Sequence, residues 1–303
     1  MKRIRLIITL LVCAVLSLNI SAQNFKYESV KNDPLNARIY TLGNGLKVYM
    51  SVNKSEPRIQ TYIAVRVGSK NDPSATTGLA HYFEHMMFKG SEKFGTSDWK
   101  KEREYITKIE AMYEVYRTAK DANKRKELYA EIDSLSYIAS GFAIANEYDK
   151  MMSFIGSQNT NAATSNDYTF YQEDIPSNQL ESWAKIQADR FANPVLRLFH
   201  TELETIYEEK NMSLTKDSRK VNEAMLKALF PNHPYGQQAT VGEAEHLRNP
   251  SLKNIREFHA QYYVPNNYCI AMSGDFDPDK AIKVIDKYFG GLKWLLKEKT
   301  QWL

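Results

Sequence analysis

Residues 78–90 read Gly78-Leu79-Ala80-His81-Tyr82-Phe83-Glu84-His85-Met86-Met87-Phe88-Lys89-Gly90. The apolar run predicts a helix from about Gly78 to Phe88, broken afterwards by Gly90 and Gly95. On a helix His81 and His85 stand one turn apart and face the same way. Two imidazoles at that spacing can grip one zinc ion. Glu84 falls on nearly the same face, close enough to hydrogen-bond a water on the metal without being a ligand. The order is H-x-x-E-H, the reverse of H-E-x-x-H. The plainer alternative is two surface histidines beside a salt-bridging glutamate.

A catalytic zinc needs a third protein ligand and an open fourth position. The run Glu202-Leu203-Glu204-Thr205-Ile206-Tyr207-Glu208-Glu209 is the best source. Glu202 and Glu209 are two helical turns apart and share a face. Glu209 can ligate while Glu202 supports a ligand from behind, where orienting hydrogen bonds matter. Glu204 and Glu208 read as solvated helix charge. His200, His233, His246 and His259 lack metal-type spacing and read as structural or surface residues.

Outward from these segments, residues 39–50 predict a hairpin through Gly43-Asn44-Gly45. Residues 59–67 predict a strand, and strand-like text returns around Asn161 to Thr164 and Tyr168 to Tyr171. Residues 98–150 predict a helical hairpin. Its apolar stripes are Tyr105, Ile109, Met112 and Tyr116, then Leu128, Ile132, Leu135 and Ile138, with Asp121-Ala122-Asn123 at the turn. Its charged face reads as solvated, with a docking surface as the alternative. Helices are expected over 177–191, 201–214, 218–230, 252–262 and 278–289, with Thr201 and Glu204 as a capping box. A further strand is expected over 267–273. Strands and helices without regular alternation favour an α+β architecture, a mainly antiparallel sheet with helices packed on one face.

Composition narrows the class. The chain has 303 residues, 43% hydrophobic and 25% charged, with a net charge of +4. Those values suit a globular protein and give no basic track for nucleic acid. Residues 1–22 read as a signal peptide. Lys2, Arg3 and Arg5 precede an apolar stretch from Leu6 to Leu18, and Ser21-Ala22 suits cleavage. The alternative is an uncleaved anchor, although the run is short for a membrane span. Export to the periplasm or the medium is expected, without stable membrane insertion after cleavage. Removal of Cys13 would leave Cys269 alone, a packed structural thiol rather than half of a disulfide.

The 78–90 run resembles the active-site helix of the insulinase/pitrilysin family of zinc metallopeptidases, which includes the mitochondrial processing peptidases. Glu202 to Met212 resembles the family's second helix. Residues 156–171, with Asn161-Ala162 and Thr164, resemble its substrate-pairing strand. Pro234-Tyr235-Gly236, Tyr263-Val264-Pro265-Asn266-Asn267 and Gly274-Asp275 resemble the later part of the same domain. The resemblance spans about 38–294. It implies one zinc per chain on His81, His85 and Glu209, catalysis by Glu84 with help from Glu202, and substrate positioning by Asn161, Ala162 and Thr164.

It further implies a zinc-motif segment over 38–200 carrying the hairpin at 98–150 as an insertion. Residues 201–294 would be the rest of that unit, similar to the family's inactive domain, and 295–303 would begin a linker. Family enzymes close a chamber with a second homologous domain or subunit, which contributes an Arg and a Tyr to peptide substrate. Two other readings stay open: a substrate-binding scaffold, against which the intact motif argues, and a zinc-binding chain that is catalytically incomplete.

Overall fold

This computed structural model describes residues 25–293. The expected signal peptide, Cys13 and the expected linker lie outside the described residues. Segments of alternating hydrophobicity pair into one seven-stranded sheet: β1 (Tyr27–Glu28), β2 (Arg38–Thr41), β3 (Lys47–Val52), β4 (Arg58–Val65), β5 (Gln158–Thr164), β6 (Thr169–Pro176) and β7 (Tyr268–Gly274). Their spatial order is β1-β2-β3-β7-β4-β6-β5. The β3–β7 pair is parallel and the other pairs are antiparallel.

The pleat explains which face is covered. Ile59, Thr61, Ile63 and Val65 of β4, Thr169, Tyr171, Glu173 and Ile175 of β6, and Ile270 and Met272 of β7 are all buried. Their alternates stand on the more open face, where Tyr62 is exposed and Cys269 is a half-buried free thiol. Several of the described α-helices cover the buried face; in chain order they are α1 (Leu79–Met86), α2 (Trp99–Thr118), α3 (Ala122–Ser140), α4 (Glu147–Phe154), α5 (Leu180–Ala192), α6 (Phe199–Leu214), α7 (Asp217–Leu229), α8 (Pro234–Gln237), α9 (Ala244–Arg248), α10 (Leu252–Tyr262) and α11 (Pro278–Phe289). Phe83, Met86, Trp183, Phe191, Phe258, Ile282 and Phe289 share one apolar core with the inward strand residues. The expected α+β architecture is the one observed.

Two of the charged groups buried in that core, Glu173 and Arg197, are fully engaged, as burial demands. Glu173 accepts from Tyr148 Oη (2.6 Å), Gln187 Nε2 (3.1 Å) and Trp183 Nε1 (3.2 Å), and it pairs with Arg190 at 3.4 Å. Arg197 forms a two-pronged ion pair with Glu102 (2.6 and 2.8 Å) and donates to the carbonyls of Lys89 (2.6 Å) and Ser91 (3.1 Å). The α2–α3 hairpin is thereby tied to the loop that follows α1.

Several local expectations need correction. α6 does not start on a Thr201–Glu204 capping box. Leu198, in the left-handed region at φ 55°, precedes its first residue Phe199. Neighbouring Arg197 is pinned in the core, so the chain turns sharply there, and Thr201 ends up exposed on the first turn. In the hairpin the deeply buried positions are Ile106, Ile109 and Tyr113 on α2 and Leu128, Ile132 and Ala139 on α3. In α2 the expected Tyr105, Met112 and Tyr116 pack half-buried against the core beside the deeper Ile106, Ile109 and Tyr113, whereas Ile138 of α3 is exposed. Asp121 caps α3 by accepting from the Lys124 amide at 2.7 Å, so the turn ends two residues earlier than Asn123. α4 and the short α8 and α9 carry no distinct periodic signal in the sequence.

Candidate metal centre

Three local features hold α1. Gly78 sits at φ 91°, and a Cβ there would meet the Val241 carbonyl oxygen at 2.9 Å. Only glycine suits both the conformation and the close approach. The buried Asp72 carboxylate accepts from the amides of Gly78 (2.7 Å) and Ala80 (3.0 Å), which satisfies free donors at the helix start. Leu79, Tyr82, Phe83 and Met86 point into the core, with Phe83 packed between the rings of His259 and Tyr263. Burying that stripe leaves His81 and His85 on the other face, their ring centroids 4.7 Å apart.

α6 supplies the remaining groups. Tyr82 donates to the Phe199 carbonyl at 2.7 Å, docking α6 against α1. Leu203 and Ile206 are buried, Glu204 and Glu208 are exposed, and Glu202 and Glu209 face α1. Glu209 Oε2 lies 3.6 Å from His81 Nε2 and 3.6 Å from His85 Nε2. Among the described residues, His81, His85 and Glu209 are the one group of three or more His, Cys, Asp or Glu with ligand atoms converging in this way. Glu202 Oε1 lies 2.8 Å from His85 Nδ1, and Glu202 Oε2 lies 2.5 Å from Lys89 Nζ.

The electrostatics follow from burial and neighbours. Burial, with His85 and Arg219 adding to it, pushes the His81 pKa down to about 4, so this ring is neutral near pH 7. Burial opposes protonation of His85 as well, but the hydrogen bond to Glu202 and the charges of Glu209, Glu202 and Glu84 carry its pKa above the ordinary value. Burial works to raise the Glu202 pKa, yet hydrogen bonds from His85 and Lys89 bring it below the usual carboxylate range. Glu84 is buried and its pKa is raised by desolvation, even though Thr164 donates to its Oε2 at 2.5 Å.

This donor set fits zinc. Two imidazole nitrogens and one carboxylate oxygen converge, and the same ligand types serve catalytic zinc sites that keep a fourth position open. Glu202 gives His85 the carboxylate partner that metal-bound histidines commonly have. His81 Nδ1 is buried with no hydrogen-bond partner among the described residues.

The residues singled out for substrate lie on β5, which among the described residues pairs only with β6 and so stands at the sheet edge. Thr164 reaches the centre through Glu84. Asn161 is exposed and Ala162 half-buried further along the same strand. The other histidines have local partners: His200 with Tyr113 Oη (2.6 Å), His246 with Thr77 Oγ1 (2.8 Å), His259 with the Phe191 carbonyl (3.2 Å) and His233 with the Tyr235 amide (3.2 Å). Sequence reasoning misses two contributors, Lys89 and Asp72. Lys89 stands inside the quoted run, but its target is more than a hundred residues away in the chain. Asp72 precedes the helix in a turn-rich stretch and lies outside normal capping spacing.

Comparison with known proteins identifies the family. The model for Insulinase (Peptidase family M16) matches residues 47–120 and 135–241, and the model for the Peptidase M16 inactive domain matches 250–301. The chain is 24% identical over 253 residues to the uncharacterized zinc protease YmxG of Bacillus subtilis, covering 83% of this chain and 49% of that protein. It is 27% identical over 231 residues to Protease 3 of Escherichia coli, covering 74% of this chain and 19% of that protein. Among solved structures, a protease from Helicobacter pylori superposes with a TM-score of 0.63 at 24% identity, covering 92% of this chain and 53% of that one. Pitrilysin superposes with a TM-score of 0.66 at 20% identity, covering 92% of this chain and 26% of that one. The chain thus spans about half the length of YmxG and less of Protease 3. With a family model matched across most of the chain and an H-x-x-E-H helix facing a glutamate on a second helix, this chain belongs to the insulinase family of peptidases, M16.

Proposed function

We propose that this chain is the zinc-binding catalytic portion of an exported metalloendopeptidase that hydrolyses peptides or small unfolded polypeptides. The observation that carries the proposal is the meeting of His81 Nε2 and His85 Nε2 at one oxygen of Glu209, 3.6 Å from each, with Glu84 alongside. His81, His85 and Glu209 would hold the metal. When bound, zinc supplies a Lewis acid that lowers the pKa of water and polarises the scissile carbonyl. Glu84 takes the proton of the attacking water and returns it to the leaving amine. Its raised pKa suits both halves of that task. Thr164 holds the Glu84 carboxylate in place, and Glu202 holds the His85 ring.

The peptide lies extended along the free edge of β5, where main-chain hydrogen bonds ask little of its sequence. Asn161 and Ala162 position it there. The hairpin over 98–150 is read as an insertion; the residues that the family model leaves unmatched between its two segments, 121–134, fall within it. The signal-like residues 1–22 support a periplasmic or secreted location.

A second reading has its own support. Because the chain spans about half of YmxG, zinc binding without turnover would mark it as a portion that needs a second homologous domain. One experiment separates the two: zinc content and cleavage of an unstructured peptide by the purified chain beside Glu84→Gln. Zinc in both proteins, with cleavage lower in Glu84→Gln by about 10²- to 10⁴-fold, supports the peptidase. Zinc in both and cleavage in neither supports the incomplete portion. No zinc in the unmodified chain contradicts both.

A further inference from the structure

α6 offers two carboxylates to the face of α1. Glu202 and Glu209 stand two turns apart, and nothing in the helix itself decides which one a metal takes. Lys89 bears on that choice. Its ammonium lies 2.5 Å from Glu202 Oε2 while His85 Nδ1 lies 2.8 Å from Glu202 Oε1. Both oxygens of Glu202 are thus engaged, and its side chain is only 10% exposed.

The base of the Lys89 side chain is fixed as well. Its amide donates to the Met86 carbonyl at 3.0 Å, and its own carbonyl accepts from Arg197 at 2.6 Å. Arg197 is itself locked by Glu102. The ammonium is therefore delivered from an anchored backbone and does not wander as a surface lysine does. A charge-assisted bond to a nearly buried carboxylate is among the stronger side-chain contacts, and losing one partner leaves the other incompletely satisfied.

We infer that Lys89 is a positioning residue for the metal centre: it holds Glu202 in the rotamer that orients His85 and keeps Glu202 from competing with Glu209 as a ligand. This inference rests on the zinc reading above for its consequence, but the Lys89–Glu202–His85 linkage exists without metal. Lys89 acts only through Glu202. Substitution at Lys89 therefore has no further effect once Glu202 is removed.

The test is zinc affinity measured by chelator competition on the full chain, for the unmodified protein, Lys89→Met, Lys89→Arg, Glu202→Ala and the Lys89→Met/Glu202→Ala double variant. Lys89→Met keeps the length of the stem and loses the charge. It is expected to weaken zinc about tenfold, the low end for a partner that orients a ligand. Lys89→Arg is expected to recover part of the loss. In the Glu202→Ala background, Lys89→Met should change affinity by less than roughly twofold, the signature of a shared pathway. Unchanged affinity in Lys89→Met overturns the inference, and so does an equal loss in both backgrounds. Imidazole nitrogen NMR of the metal-free proteins tests the linkage independently of zinc. A His85 Nδ1 proton protected from exchange in the unmodified chain and lost in Lys89→Met supports it; equal protection in both contradicts it. Should the unmodified chain fail to take up zinc, the zinc reading falls, and the metal-free comparison still decides the role of Lys89.

Discussion

Thr164, the last residue of edge strand β5, donates its hydroxyl to the Glu84 carboxylate at 2.5 Å. The strand proposed to dock the peptide thus also holds the proposed base. Thr164→Val removes the hydroxyl at nearly constant shape. A hydrogen bond to a charged group is worth about 1.5–3 kcal/mol, so kcat should fall about tenfold to a hundredfold. Zinc content should not change, and Thr164→Ser should retain most of the activity. Steady-state kinetics with metal analysis checks this, and zinc loss in Thr164→Val would assign the residue to the metal shell instead.

His259 packs on Phe83, on the buried side of α1, and burial pushes its pKa down to about 4. The ordinary value is about 6.5, so the unfolded chain binds more protons than the folded one between those two pH values. Stability contributed by the neutral ring is complete above pH about 6.5 and is lost as pH falls toward about 4. Taken to its limit the loss is about 3 kcal/mol. His259→Phe should therefore show a shallower decline in thermal midpoint over that window. An identical decline in both proteins would assign the acid sensitivity to other groups.

Glu102 and Arg197 form an ion pair with side-chain exposures of 1% and 2%. Breaking a buried pair by removing one partner strands a charge and costs about 3–5 kcal/mol. Glu102→Ala should be destabilised by that order in denaturant titration. Glu102→Met/Arg197→Met should be less destabilised than the single change, because no charge is stranded. A single change costing under about 1 kcal/mol would mean that water reaches the pair.

Much of the centre is legible from local spacing. His81, Glu84 and His85 need only one turn of helix, and Glu202 and Glu209 need two. The hairpin of β2 and β3 is legible from Gly43-Asn44-Gly45, and α10 and α11 from their apolar periods. What local spacing does not carry are contacts made across the fold. The reach of Lys89 to Glu202 depends on how α6 lies beside α1. The hydroxyl of Thr164 reads in sequence as a substrate contact, and only the packing of β5 against α1 aims it at Glu84. Just before the start of α6, Arg197 is held in the core by Glu102, a partner far away in the chain. Tyr113 of α2, which the sequence stripe does not include, is buried and meets His200 at 2.6 Å.

The assignment on which the rest depends is that His81, His85 and Glu209 hold the metal. It is tested most directly by zinc stoichiometry and affinity of the unmodified chain beside Glu209→Ala and Glu208→Ala, two neighbouring substitutions on one helix. The geometry predicts a single zinc per chain in the unmodified protein and in Glu208→Ala, and loss of high-affinity zinc in Glu209→Ala. Full zinc affinity in Glu209→Ala, or its loss in Glu208→Ala, would contradict the assignment.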